Sequence, residues 1–156
     1  MKLDKRRWSP LVILAGEGFP HLPTVSKTVR ILLVEDDENV AAGIRMALTL
    51  RGYEVESCAT AEDALERLQE GCWALVISDL RLPGCDGQEL LQRIAQTHPQ
   101  TRRILITGFG TPETELWASS QADDYLVKPF STDRLVESVH RLLASAAGAQ
   151  DLHIKP

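Results

Sequence analysis

Short apolar runs alternate with amphipathic segments along the chain from residue 30 onward. This order is typical of a parallel sheet whose strands are joined by helices packed on both of its faces. The run Trp-Ala-Leu-Val-Ile-Ser at 73–78 is almost unbroken, as expected of a strand buried on both faces. The five predicted strands are Arg30–Val34, Glu54–Cys58, Trp73–Ser78, Arg103–Ile106 and Asp124–Val127.

Each predicted strand is followed by a segment with helical periodicity. Val40 and Ile44 begin the apolar stripe of a first helix, which should end at Gly52. The fourth helix is marked least well, because Pro112 opens it at the favoured first position but the residues up to Gln121 carry only a faint apolar stripe. Candidate N-cap residues precede the later helices, and they are Thr60, Asp86, Thr111 and Ser131 or Thr132.

Five consecutive β-α units predict an α/β fold with a doubly wound five-stranded parallel sheet, a flavodoxin-like three-layer sandwich. With right-handed crossovers and the strand order 2-1-3-4-5, the topological switch point lies between the first and third strands. Ligands of such sheets bind at the carboxyl ends of the strands beside that point. We therefore expect the loops after Val34 and Ser78 to face each other across a crevice.

The chain length of 156 residues fits one domain with tails. We place the domain at residues 29–147, an N-terminal extension of unknown role at 1–28 and a C-terminal tail at 148–156. The extension has three open interpretations: an ordered addition at a sheet edge, a linker from a larger protein, or an overlong start.

The formal net charge of −5 argues against a nucleic-acid surface, because phosphate contacts need clustered Lys and Arg. The basic cluster at residues 2–7 is interpreted as a solvated terminus rather than an arm for nucleic acid or lipid. Cys58, Cys72 and Cys85 form no Cys-x-x-Cys pair, which favours reduced thiols. The apolar stretch at 11–15 is too short for a signal peptide, and no stretch approaches the roughly 18 residues of a membrane span. We expect a cytoplasmic protein without membrane contact.

Acidic residues follow the first and third predicted strands. Glu35 and Asp36 come after Val34, and Asp79 comes after Ser78. Bringing carboxylates within about 4 Å costs on the order of 4 kcal/mol per pair at an effective dielectric constant near 20. Either some of the acids stay protonated or a hard divalent cation lies among them. Ligation by oxygen alone favours Mg²⁺, which keeps several waters and shares its shell with phosphate oxygens.

Asp37 and Asp86 are interpreted as helix N-caps rather than as metal ligands. Asp79 is harder to explain in that way, because it follows a buried strand and precedes a loop turned away by Pro83 and Gly84.

Two other polar residues mark the same edge of the predicted sheet. Lys128 directly follows the fifth strand and precedes Pro129, and Thr107 ends the fourth strand. A cation can pair with the acids or with a bound phosphoryl group, and a hydroxyl can donate a hydrogen bond to it. This edge therefore combines acids, an ammonium group and a hydroxyl. The combination suits phosphoryl transfer, in which one carboxylate attacks the phosphorus atom.

Four sequence blocks resemble the receiver domains of bacterial two-component response regulators, within a match over roughly residues 29–145. The blocks are Val34-Glu-Asp-Asp37, the segment Asp79–Gly87, Ile106-Thr-Gly108 and the segment Asp123–Phe130. The resemblance implies a phosphorelay domain that accepts a phosphoryl group from a sensor histidine kinase or a histidine phosphotransfer protein. Such a domain is no enzyme in the usual sense, since it catalyses only its own phosphorylation and dephosphorylation.

The resemblance also implies a role for each residue of the cluster. Asp79 would be the phosphoacceptor, and Lys128 would pair with the phosphoryl group. Asp36 and Asp79 would bind Mg²⁺ directly, Glu35 would act through water, and the backbone carbonyl of Arg81 would supply a further ligand. The peptide bond between Lys128 and Pro129 would be cis.

Switching would follow from two further residues. Thr107 would move to hydrogen-bond the phosphoryl group, and Tyr125 would turn inward as that hydroxyl shifts. The change would alter the face formed by the fourth helix, fifth strand and fifth helix, through which a downstream protein or a second copy would bind. It is a shift between states already accessible to the fold.

The chain departs from the family pattern at three places. The stretch from Thr107 to Lys128 is one residue short and lacks the glycine that normally precedes Ala122, so the fourth helix should end differently. Residues 108–109, with Arg81, occupy positions that in this family tune the lifetime of the phosphoryl group. Residues 1–28 match nothing in the family.

Three other functions compete with this one. A haloacid dehalogenase-type phosphatase or phosphotransferase also uses a strand-end Asp, but it needs a second Asp where this chain has Arg81. A nucleotide- or flavin-binding module would fit the fold, although Gly108-Phe-Gly110 lacks the third glycine of a dinucleotide fingerprint. A receiver that serves only for docking would not need the complete acidic set and Lys128.

Overall fold

The computed structural model of the chain describes residues 27–151, with side chains as far as residue 145. The basic cluster at 2–7, most of the predicted N-terminal extension and the end of the predicted tail lie outside these residues.

Five parallel strands form one sheet in the order β2-β1-β3-β4-β5, which confirms the predicted doubly wound topology. β3 begins later than predicted, and it includes Asp79. Trp73 lies just outside the strand, yet its side chain is buried. Its carbonyl accepts a hydrogen bond from the Thr101 hydroxyl at 2.9 Å. The strands are β1 (Arg30–Val34), β2 (Glu54–Cys58), β3 (Leu75–Asp79), β4 (Arg102–Thr107) and β5 (Asp124–Val127).

Five helices follow the strands, and their N-caps are those predicted. The Asp37 carboxylate accepts the N–H groups of Asn39 and Val40, and the Asp86 carboxylate accepts that of Glu89. Each cap satisfies backbone donors that a helix leaves unpaired at its start. The fifth helix continues past residue 147. The helices are α1 (Glu38–Thr49), α2 (Ala61–Glu70), α3 (Gly87–Thr97), α4 (Pro112–Gln121) and α5 (Thr132–Asp151).

The hydrophobic core lies in two layers, one on each face of the sheet. Successive side chains of a strand point to opposite faces. In β1, Ile31 and Leu33 join the layer formed with α1 and α5, whereas Leu32 and Val34 join the layer formed with α2, α3 and α4. All four side chains are fully buried, so β1 has the continuous apolar sequence of a central parallel strand.

Helix α4 buries fewer residues than any of the other four helices, in keeping with its faint apolar stripe. It buries only Thr114 and Ala118, and Leu116 is exposed. The helix ends at Gln121, and Ala122 follows it in extended conformation. The N–H of Asp123 then donates to the carbonyl of Arg103. The chain therefore enters β5 without the glycine that the receiver pattern normally has before Ala122.

The three cysteines are free thiols, as predicted. Burial raises the pKa of the Cys58 thiol to about 11, so this thiol is not reactive at neutral pH. Within the described part of the chain, no helix combines the length and the apolar character needed to cross a bilayer.

Asp124 ties the start of β5 to α5. Its carboxylate accepts hydrogen bonds from the Ser138 hydroxyl, from the N–H of Tyr125 and from the guanidinium groups of Arg134 and Arg141, the last at 2.7 Å. Burial alone would raise the pKa of Asp124, but the hydrogen bonds from Ser138 and Tyr125 and the charges of the two arginines hold it below its ordinary value.

Replacing Asp124 by asparagine should lower the free energy of unfolding near neutral pH by about 1–2 kcal/mol, because charge-assisted hydrogen bonds are lost. A lowered pKa in the folded state means that the carboxylate stabilises the fold above its unfolded pKa of about 3.9 and loses this effect as the pH falls through the folded pKa. Urea unfolding of both proteins at about pH 7 and about pH 3 should therefore show a smaller difference in acid. An equal difference at both pH values would assign the effect to packing instead.

Candidate functional site

The register of the sheet brings the predicted acids together. Val34 pairs with Ser78, so Glu35, which follows β1, lies beside Asp79, the last residue of β3. Carboxylate oxygens of Glu35, Asp36 and Asp79 all lie within 4.8 Å of one another. Glu35 and Asp79 are buried, whereas Asp36 is exposed. The cluster is thus open to solvent on the side of Asp36.

Lys128 enters the cluster from the end of β5. Its Nζ donates to a carboxylate oxygen of Glu35 at 2.8 Å and lies 3.7 Å from Oδ1 of Asp79. The other oxygen of Glu35 accepts the N–H of Asp37 at 3.1 Å. Glu35 is therefore the main partner of Lys128, a pairing that the sequence did not indicate. The peptide bond between Lys128 and Pro129 is cis, as predicted.

Burial dominates the electrostatics of the cluster. It raises the pKa of Glu35 and of Asp79, and the ammonium of Lys128 offsets only part of that rise. Burial alone would lower the pKa of Lys128, but its hydrogen bond to Glu35 and the charges of Glu35 and Asp79 raise it overall. Three carboxylates share one ammonium, so the site has an excess of negative charge.

Thr107 lies at the same edge, but its hydroxyl is engaged in its own loop. The hydroxyl accepts the N–H of Phe109 at 3.1 Å and donates to the Phe109 carbonyl at 3.3 Å. Thr107 is almost fully buried. A hydrogen bond from Thr107 to a group on Asp79 would therefore require these two bonds to open.

Arg81 and Phe109 form a contact that joins the loops after β3 and β4. The guanidinium carbon of Arg81 lies 4.5 Å from the centroid of the Phe109 ring, within the range of a cation–π interaction. The backbone of Arg81 also pairs with that of Asp86 in an isolated antiparallel β-bridge. The resemblance gave Arg81 and Phe109 a shared effect on the phosphoryl lifetime, but only the paths of the two loops reveal that the side chains touch.

Gly87 has a structural role that the sequence did not indicate. A Cβ at this position would lie 2.0 Å from the backbone oxygen of Asp79, a distance that no side chain tolerates. The N–H of Gly87 donates to the Leu80 carbonyl at 2.7 Å. The start of α3 thus packs directly on the backbone of Asp79, and glycine is needed for this close approach.

Tyr125 lies in β5 and packs against the core layer formed with α2, α3 and α4. Its hydroxyl is already buried, and within residues 27–145 it has no hydrogen-bond partner. Burial, with a smaller effect of the Glu115 charge, raises the pKa of Tyr125.

The residues of the cluster fit a magnesium ion. The donors are oxygen atoms alone, they converge on one point, and a divalent cation would offset their excess charge. The exposed Asp36 side leaves room for the waters that Mg²⁺ keeps when it binds to proteins.

Comparison with known proteins identifies the family. The model of the response regulator receiver domain matches residues 31–140, so the chain belongs to this family. It is a receiver domain of two-component signal transduction. This assignment favours the receiver function over the dehalogenase-type phosphatase and the nucleotide-binding module.

Two curated relatives show how much of a longer protein the chain represents. The C4-dicarboxylate transport transcriptional regulatory protein DctD of Rhizobium meliloti is 36% identical over 118 residues, which are 75% of this chain and 26% of that protein. Regulatory protein VanRB of Enterococcus faecalis is 35% identical over 129 residues, 81% of this chain and 58% of that protein. The chain therefore spans less than two thirds of the length of either relative.

Solved structures share the fold at similar identity. A CheY-like response regulator receiver domain protein from Methanospirillum hungatei superposes with a TM-score of 0.75 at 30% identity, covering 78% of this chain and 98% of that one. The response regulator TrrA from Thermotoga maritima, solved in complex with Mg²⁺ and BeF, gives a TM-score of 0.68 at 33% identity, covering 74% and 99%.

Proposed function

We propose that Asp79 accepts a phosphoryl group from the phosphohistidine of a sensor kinase or phosphotransfer protein, in a reaction that requires Mg²⁺. The observation that carries this proposal is the convergence of the Glu35, Asp36 and Asp79 carboxylates within 4.8 Å, with the Lys128 ammonium 3.7 Å from Asp79. Two strand ends supply the acids and a third supplies the cation.

The arrangement divides the acids between two roles. Both oxygens of Glu35 already accept hydrogen bonds, from Lys128 and from the N–H of Asp37, which supports a contact to the metal through water. Asp36 and Asp79 are the direct ligands in this proposal, together with the backbone carbonyl of Arg81. When bound, Mg²⁺ neutralises charge on the phosphoryl oxygens.

In the transfer step, a carboxylate oxygen of Asp79 forms a bond to phosphorus as the bond from phosphorus to the histidine nitrogen breaks. The electron pair stays on the histidine, which remains a neutral imidazole or takes up a proton from solvent. Lys128 moves from Glu35 toward the phosphoryl oxygens, where its charge stabilises the product. Thr107 releases Phe109 and donates its hydroxyl to the same group.

An apolar groove beside Lys128 supports docking of the phosphodonor protein. The groove has a volume of about 360 Å³ and runs between α1 and the start of α5. Its apolar lining includes Val40, Ile44, Pro129 and Phe130. A helix of the donor seated there would bring its phosphohistidine to the edge that carries Asp79.

The output is proposed to pass through the face formed by α4, β5 and α5. Leu116 and Val127 expose apolar surface on this face, as a protein contact requires. The partner is a downstream protein or a second copy of the chain. The relatives named above include a transcriptional regulator, so contact with DNA would belong to domains other than residues 29–147. We propose a cytoplasmic location. We assign no function to residues 1–28 and 148–156.

The proposal is tested by incubating the protein with acetyl phosphate and measuring its intact mass. We expect one phosphoryl adduct in the presence of Mg²⁺ and none in EDTA, because the metal offsets the charge of the approaching anion. Ca²⁺ at the same concentration serves as a control, since it demands more ligands and longer bonds than Mg²⁺. An adduct of equal yield in EDTA would overturn the requirement for Mg²⁺. No adduct under any condition would overturn the proposed phosphoacceptor and favour a receiver that serves only for docking.

A further inference from the structure

The buried hydroxyl of Tyr125 is an unusual feature of the fold. Of the buried side-chain nitrogen and oxygen atoms among the described residues, it alone has no hydrogen-bond partner. A polar group removed from water without a partner costs free energy, which the packing of its aromatic ring must offset. The inward position of Tyr125 is therefore held by ring contacts and opposed by its own hydroxyl.

Gly110 provides the space that this hydroxyl occupies. A Cβ at Gly110 would lie 2.9 Å from the Tyr125 oxygen and 3.0 Å from Cγ2 of Val127. Val127 is β-branched and stiff at its first side-chain torsion, whereas the Tyr125 hydroxyl is the far end of a long side chain. A methyl group at position 110 would thus displace Tyr125 first.

The backbone gives no other reason for glycine at position 110. The described glycines with positive φ are Gly52 and Gly84, so Gly110 has a conformation that alanine can adopt. Gly108, in the same loop, also lacks a positive φ, and a Cβ there would meet nothing within 4 Å. The two glycines therefore share a loop and a permitted backbone, and they differ in the contact with Tyr125.

The loop that carries Gly110 is also tied to Thr107. Both hydrogen bonds of the Thr107 hydroxyl go to the backbone of Phe109, directly before Gly110. When Thr107 leaves Phe109, the path of this loop changes and so does the space beside Tyr125. Gly110 thus lies between Thr107 and Tyr125, the two residues to which the resemblance to receiver domains gives switching roles.

We propose that Gly110 is a positioning residue for Tyr125: by lacking a side chain it admits the hydroxyl into a buried space and lets loop movements reach the α4-β5-α5 face. Its part in signalling rests on the proposed function, whereas its effect on Tyr125 does not. Gly110 would act in the switch without contacting either the metal or the phosphoryl group.

Tyrosine titration tests this inference directly, because the chain contains only Tyr53 and Tyr125. In a Tyr53→Phe background, the absorbance of tyrosinate reports Tyr125 alone. We expect Gly110→Ala to shift this titration to lower pH, toward free tyrosine, and Gly108→Ala to leave it unchanged. An unchanged titration in Gly110→Ala, or an equal shift in Gly108→Ala, would overturn the inference. Circular dichroism over the same pH range confirms that each variant stays folded.

A double-mutant cycle keeps the inference testable if Gly110→Ala proves too unstable for titration. Tyr125→Phe removes the oxygen that the new methyl group would meet, so Gly110→Ala should destabilise the Tyr125→Phe protein less than the original protein. Equal destabilisation in both backgrounds would count against Gly110 as a positioning residue. Adduct formation from acetyl phosphate, measured on the same samples, reports separately on the proposed function, so that either idea can fail alone.

Discussion

Replacing Asp79 by asparagine is expected to abolish the Mg²⁺-dependent phosphoryl adduct formed from acetyl phosphate. The amide keeps the size of the side chain but is a poor nucleophile and removes one charged ligand from the cluster. Loss should be complete within the detection limit of intact mass measurement. The fold should survive, because asparagine removes the burial cost of a charge that lies beside Glu35 and Asp36.

Asp37→Asn is the matched control for this prediction. Asp37 lies beside the cluster, but its carboxylate caps α1, a role that asparagine fills equally well. The adduct should form in Asp37→Asn at the yield of the original protein. An adduct that persists in Asp79→Asn would move the phosphoacceptor to another acid, and Asp36 would be the first to examine.

Replacing Lys128 by methionine should lower the free energy of unfolding in EDTA by about 3 kcal/mol, because a buried carboxylate loses its partner. Glu35 is only 3% exposed and its hydrogen bond to Lys128 measures 2.8 Å. Methionine keeps the length and apolar stem of the side chain, so the effect reports the charge. Chemical denaturation with and without Mg²⁺ measures it.

Magnesium should restore part of the stability lost in Lys128→Met, since a ligand that binds the folded state alone stabilises it. The matched comparison is the double variant Glu35→Gln with Lys128→Met, in which both partners of the hydrogen bond are uncharged. This variant should be more stable in EDTA than Lys128→Met alone. If the two variants are equally stable, the pair of Glu35 and Lys128 is not what holds this part of the site.

The sheet and the acidic cluster were predictable because both depend on local sequence and on one rule of topology. Apolar runs marked the strands, and parallel strands end at one edge, so residues after Val34 and Ser78 had to meet. The start of β3 was placed too early because Trp73 is apolar and buried without belonging to the strand. Burial and strand membership give the same signal in a sequence.

The contacts between loops were not predictable in this way. Lys128 could have paired with any acid of the cluster, and its choice of Glu35 depends on side-chain positions that no spacing defines. The stacking of Arg81 on Phe109 and the fit of Tyr125 against Gly110 depend on the paths of loops, whose conformations follow from packing rather than periodicity.

The pairing of Glu35 with Lys128 joins residues near opposite ends of the domain, 93 positions apart. A chain still emerging from the ribosome, or one whose last strand has not docked, holds the acids without their ammonium partner. Such an incomplete protein lacks the ammonium group that is proposed to stabilise the phosphorylated product. We therefore expect phosphoryl transfer to Asp79 to require a fully assembled sheet, with β5 docked beside β4.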